Sequence, residues 1–189
     1  MKKYQSTTRR LSLSIIVVLS MYIVALGQDT DTPAIFKAIE KKNYQQVESM
    51  LKSGSDANET DILRNTPLHM AAFYGYERII DLLIQNGAEV NATNEAGRTP
   101  LYNAVDADHV QAVEALLSNG ANLTKRYSDN RYTVLHIAAL DGRYDVSEAL
   151  LAGGADIKAK DANNKKPIHY AKDTKDKTLV KLFKDKRWR

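Results

Sequence analysis

The chain has 189 residues, 43% apolar and 26% charged, a composition that suits one globular domain with its own core. It has no cysteine, which excludes disulfides, thiolate metal sites and cysteine nucleophiles. The formal charge of +4 gives no case for a nucleic-acid partner: Lys2, Lys3, Arg9 and Arg10 supply all of it, and from residue 28 onward 23 basic side chains balance 23 acidic ones.

Residues 1–27 have the three parts of a secretory signal peptide. A basic start is followed by an apolar run from Leu11 to Leu26, interrupted only by Ser12, Ser14 and Ser20. Ala25 and Gly27 then place small residues at −3 and −1 of a cut before Gln28. The run of 16 residues is shorter than the ~20 that span a bilayer as a helix. The expectation is export to a bacterial periplasm or to the medium. The alternative is an uncleaved N-terminal anchor on a membrane-tethered structural protein. Residues 28–32 read as a flexible mature N-terminus.

From Pro33 onward the chain repeats itself. Thr66-Pro67-Leu68-His69 returns as Thr99-Pro100-Leu101-Tyr102, as Thr133-Val134-Leu135-His136 and as Lys166-Pro167-Ile168-His169, at steps of 33, 34 and 33 residues. A second landmark keeps the phase: Gly54-Ser55-Asp56, Gly87-Ala88-Glu89, Gly120-Ala121-Asn122 and Gly154-Ala155-Asp156. Within a repeat, Thr66 is a good helix N-cap and Pro67 fits the first helical position. Leu68, Ala71 and Ala72 form one apolar stripe, with alanines small enough for two helices to approach closely. Gly75 reads as a break at positive φ, Ile79, Ile80, Leu82 and Leu83 as a second buried face, and Gly87 as its stop. The same roles recur at Ala104, Asp108, Val113, Leu116 and Gly120, and at Ala138, Ala139, Gly142, Val146, Leu150 and Gly153.

The two ends read as caps. Pro33–Asn58 keeps Ile35, Ala38, Ile39, Val47 and Leu51 in phase without the Thr-Pro-Leu-His box. At the other end Ile168, Ala171, Leu179, Leu182 and Phe183 are in phase, with Lys172, Lys175, Lys177, Lys181 and Lys184 on the outer side, as a terminal repeat requires. The charge is divided: 12 basic against 5 acidic residues over 156–189, and 11 against 18 over 28–155. The basic end reads as a cap kept soluble by lysines, or in the tethered alternative as a contact to lipid or cell-wall polymer.

With its Thr-Pro-Leu-His box, Ala pair, Leu-Leu pair and Gly-Ala-Asp, the chain resembles the ankyrin-repeat family from about residue 33 to the C-terminus. The resemblance implies an all-α repeat solenoid of about five repeats (33–65, 66–98, 99–132, 133–165 and 166–189), each a β-turn finger and two antiparallel helices. It also implies a non-catalytic, monomeric module that binds another protein, not nucleic acid, on its concave face. Thr66, Pro67, Thr99, Pro100 and Thr133 are then structural. So are His69, His136 and His169, whose imidazoles bond the box threonine and neighbouring backbone. Repeat phase places Leu63, Arg126, Tyr127, Arg131 and Tyr132 of the fingers on the binding side. From the first helices it places Met70, Phe73, Tyr74, Asn103, Asp106, Leu140 and Asp141 there.

The third finger is one residue longer than the others, with 13 positions from Gly120 to Thr133. Its two Tyr and two Arg are types enriched at interface hot spots, and with Phe73 and Tyr74 they are expected to form one continuous interface. No nucleophile–base pair, phosphate loop or His-Glu-x-x-His is readable, so no reaction, cofactor or metal is expected. His109 falls at an inter-helix turn and reads as structural. Asn58, Asn91 and Asn122 begin glycosylation sequons; the first two occupy the repeat's own asparagine position.

Overall fold

The computed structural model describes residues 32–188, and the chain from Pro33 onward forms one compact unit. The signal peptide expected over 1–27, with its anchor alternative, and the mature N-terminus up to Asp31 lie outside the described residues. Helices come in pairs: α1 (Ala34–Glu40) with α2 (Tyr44–Lys52), α3 (Pro67–Tyr74) with α4 (Glu77–Gln85), and α5 (Pro100–Asp106) with α6 (Val110–Ser118). They continue as α7 (Val134–Leu140) with α8 (Tyr144–Ala152) and α9 (Pro167–Asp173) with α10 (Lys177–Lys184), before a short 3-10 turn at Lys186–Trp188. Among the described residues there is no strand; the one β-bridge joins Tyr127 and Tyr132.

The sequence sets where each helix begins and ends. At the start of α3, Thr66 has an extended backbone, its side chain accepts from the His69 amide, and Pro67 follows at the first helical position. Thr99 and Pro100 do the same for α5. Gly75 ends α3 at φ 71°, a left-handed conformation that side chains resist. A Cβ there would also lie 2.6 Å from the His109 ring of the next repeat. One reading shifts by a residue in the fourth repeat. Gly154, at φ 91°, takes the stop role read at Gly153, while Gly153 gives room to Leu117, whose Cδ1 would lie 2.7 Å from a Cβ.

Each first helix packs on the first helix of the next pair, and each second helix on the next second helix, so the unit has two helical layers. Leu68, Leu101 and Leu135 are fully buried at the same repeat position. Each contributes about 1.5–3 kcal/mol relative to an exposed leucine. Ala71, Ala72, Ala104, Ala138, Ala139 and Ala171 are likewise fully buried, and their size lets neighbouring first helices come close. The ends close as capping repeats: Ile35, Ile39 and Val47 are buried at one, and Leu179, Leu182 and Phe183 at the other. Among the described residues no helix is long and apolar enough to cross a membrane.

Candidate partner-binding surface

The box histidines of the second and fourth repeats tie their first helix to the finger that follows it. Nδ1 of His69 receives the Thr66 backbone N–H at 3.1 Å and lies 2.9 Å from the Thr66 hydroxyl. Nδ1 is therefore an acceptor, Nε2 carries the proton, and Nε2 donates to the Arg98 carbonyl at 3.0 Å. His136 repeats the arrangement with Thr133 and the Lys165 carbonyl at 3.1 Å. Burial lowers both rings from the ordinary histidine value, against a smaller opposing pull from those carbonyls. His169 has no finger beyond it: its Nδ1 receives the Lys166 N–H at 2.9 Å and the side chain is exposed.

Asparagines add a second tie. Asn58 Nδ2 donates to the Gly87 carbonyl at 2.9 Å and its Oδ1 accepts from the Glu89 N–H at 2.7 Å. Asn91 makes the equivalent pair with Gly120 and Asn122, at 3.1 and 2.8 Å. Both sequon amides at the repeat's asparagine position are thus engaged between repeats. Asn122 instead caps its own loop, accepting from the Thr124 N–H at 2.7 Å.

The third finger differs from the sequence expectation. Tyr127 and Tyr132 exchange backbone bonds at 2.8 and 3.0 Å, and this bridge turns both rings inward. Tyr127 is 7% exposed and Tyr132 9%, which removes both from the surface a partner meets. Tyr127 lies 4.9 Å, ring to ring, from Tyr102, and its hydroxyl is 2.8 Å from Thr99 Oγ1. Burial pushes its phenol up to about 12. Tyr132 stacks on His136 at 5.8 Å and meets the edge of Tyr170 at 5.4 Å.

Asn103 is also withdrawn. It is 5% exposed, and its Nδ2 donates to the His69 carbonyl at 3.3 Å, across the α3–α5 contact. Arg126 is exposed, but its guanidinium donates to the carbonyls of Arg131 and Lys160, bracing the third finger on the fourth. The third finger and the Phe73/Tyr74 patch therefore do not form one continuous aromatic interface.

What stays accessible follows α3 and the finger ahead of it. Met70, Phe73 and Tyr74 are half-buried, as is Leu63 at the finger. Phe73 meets Tyr74 edge-on at 5.4 Å, and Tyr74 stacks on Tyr76 at 5.3 Å, with Lys42 Nζ 5.1 Å from the Tyr76 centroid. In the equivalent row of later repeats Asp106 and Leu140 are half-buried and Asp141 exposed; Arg131 is exposed at the third finger. The sequence reading passed over Ile62, which is 73% exposed and the one large apolar side chain so exposed among the described residues. Its signal is an isoleucine at a turn tip, between Asp61 and Leu63, where a polar residue would suffice. No three His, Asp or Glu side chains among the described residues are grouped to hold a metal ion.

A family model of ankyrin repeats in three copies matches residues 35–127, and a model of ankyrin repeats in many copies matches 116–171. The chain belongs to the ankyrin-repeat family. Ankyrin repeats are generally protein–protein interaction modules, typically without catalytic activity. No curated protein matches the chain. In this ankyrin stack Thr66, His69, Thr133 and His136 are internal ties, while side chains on the finger ahead of α3 and along α3 stay partly exposed.

Proposed function

We propose that this is an exported, non-catalytic ankyrin-repeat protein that binds one partner protein through its finger tips and the concave row of its first helices. The observation that carries the reading is Ile62: an isoleucine 73% exposed at the tip of the first finger. Isolated exposed apolar residues are ordinary, but this one is accompanied by Leu63 on the same finger and by Met70, Phe73 and Tyr74 on α3, all partly exposed. Leu63, Phe73 and Tyr74 are each half-buried and keep part of their apolar surface to offer, and tyrosine is a type enriched at interface anchors. Asp106, Leu140, Asp141 and Arg131 extend this surface along the stack.

The test is capture of cross-linked partners by the exported full chain in its own host, repeated with Ile62→Asp and Tyr74→Ala. The reading stands if a partner held by the wild type is lost by both variants while their helicity is unchanged. It fails if the same partner is retained by both. The mass of the mature chain tests the export half: a chain beginning at Gln28 supports it, and retention of residues 1–27 favours the tethered alternative.

A further inference from the structure

We propose that the last repeat carries a second interaction surface, for a linear polyanion bearing repeated phosphate groups. It stands apart from the concave row and does not rest on the reading above. Lys172, Lys175, Lys177, Lys181 and Lys184 line a cleft of about 410 Å³ formed by the end of α9, the following turn and α10. The repeat stacks on α7 and α8, so this side is the end of the stack.

The amphipathic pattern of α10 assembles the cluster. Leu179, Leu182 and Phe183 are buried, which sends Lys177, Lys181 and Lys184, spaced i, i+4 and i+7, to one outer face. Lys172 and Lys175 form the opposite wall from α9 and the turn. Lys175 sits at φ 62° on the inter-helix turn, the repeat position that Lys42, Gly75, Asp108 and Gly142 also hold at positive φ.

The sole carboxylate in the lining, Asp176, is already committed. Its Oδ1 accepts from the amides of Thr178 and Leu179 and from the Thr178 hydroxyl. Those bonds also take up the Thr178 and Leu179 amides at the N-terminus of α10, which leaves less there for a single phosphate to bind. Against that one carboxylate stand the ammonium groups of Lys172, Lys175, Lys177 and Lys181 on two walls, suited to many weak contacts with a chain of anions. Val180 is the only apolar residue in the lining, so the surface has nothing to insert into a bilayer. No aromatic side chain lines the cleft for base stacking. The charge around it agrees: residues 156–189 carry 12 basic and 5 acidic side chains.

The test uses the full chain and inorganic polyphosphate, with binding followed by fluorescence anisotropy as salt is raised. The wild type is expected to bind with an affinity that falls steeply with salt. The triple variant Lys175→Gln, Lys177→Gln, Lys181→Gln is expected to bind about a hundredfold more weakly, and the corresponding Lys→Arg triple like wild type. A control removing the same charge elsewhere, Lys41→Gln, Lys52→Gln, Arg64→Gln, is expected to stay within a few fold of wild type. All these side chains are exposed, and circular dichroism of each variant checks its fold. Four results overturn the proposal: no binding by the wild type, equal loss in the control, orthophosphate binding as tightly as the polymer, or phosphatidylserine vesicles binding more tightly than it.

Discussion

The Tyr127 hydroxyl lies 2.8 Å from Thr99 Oγ1, filling from the next finger the place that a histidine fills within the box of other repeats. In the second and fourth repeats His69 and His136 bond their threonines; in the third the box carries Tyr102, and Tyr127 reaches back instead. The extra residue of the third finger and the missing histidine are thus parts of one solution. Tyr127→Phe should lose only the hydroxyl bond and cost about 1 kcal/mol. Tyr127→Ala also opens a cavity beside Tyr102 and should cost about 3–5 kcal/mol. Urea denaturation of both variants checks this, and equal losses would mean that ring packing contributes nothing.

The box makes stability sensitive to acid. His69 and His136 each use Nδ1 to accept from a backbone N–H, so a second ring proton would face a donor. Burial lowers both from 6.5. As pH falls through that value the unfolded chain takes up protons before the native one, so the contribution is complete above about 6.5 and lost below it. Asp161 acts in the same direction at lower pH. Burial would raise its carboxyl, but hydrogen bonds from the Tyr170 hydroxyl and the Lys165 and Asn163 amides hold it below 3.8. At the alkaline end the sign reverses. With Tyr127 pushed up from 10.0 to about 12, its contribution is complete below 10 and lost as pH rises toward 12. Denaturation midpoints should therefore be highest near neutrality and lower at about pH 5 and about pH 11. A flat profile across that range would contradict the tautomer assigned here.

The period of the fold was legible because its markers act locally. Thr66 and Pro67 start a helix, Gly87 stops one, and Leu68 with Ala71 and Ala72 declares one buried face. Burial of the third-finger tyrosines was not legible, because tyrosine suits both an interface and an inward-turned ring. The choice depends on the bridge between residues 127 and 132 and on the space left beside Tyr102, both of them contacts across the repeat boundary. Asn103 was misplaced for a similar reason: its partner is a carbonyl 34 positions away. Ile62 was missed because repeat phase locates a finger without saying which tip residue projects.

Asparagine ties divide the stack unevenly. Asn58 and Asn91 each bond across a repeat boundary twice, whereas Asn122 bonds only within its loop. Replacing Asn58 or Asn91 with alanine should cost about 1–2 kcal/mol, and Asn122→Ala less, since no bond between repeats depends on its side chain. Thermal melts of the three variants measure the order; a loss at Asn122 equal to the others would show that the crossing bonds are not what stabilises the boundaries.

Gly75 and His109 offer a direct measure of coupling between adjacent repeats. Gly75 holds φ at 71°, and a Cβ there would meet the His109 ring at 2.6 Å. Gly75→Ala therefore suffers twice, from the left-handed backbone and from the clash, and should cost well over the ~1 kcal/mol of backbone strain alone. His109→Gly removes the ring, so in that background the same change should cost only the backbone share. The double-mutant cycle isolates the clash: the double variant should cost about 0.5–3 kcal/mol less than the sum of the two single changes, because the clash is absent once the ring is gone. Additive losses would mean that the histidine swings away freely and that this close approach between the second and third helix pairs does not fix their spacing.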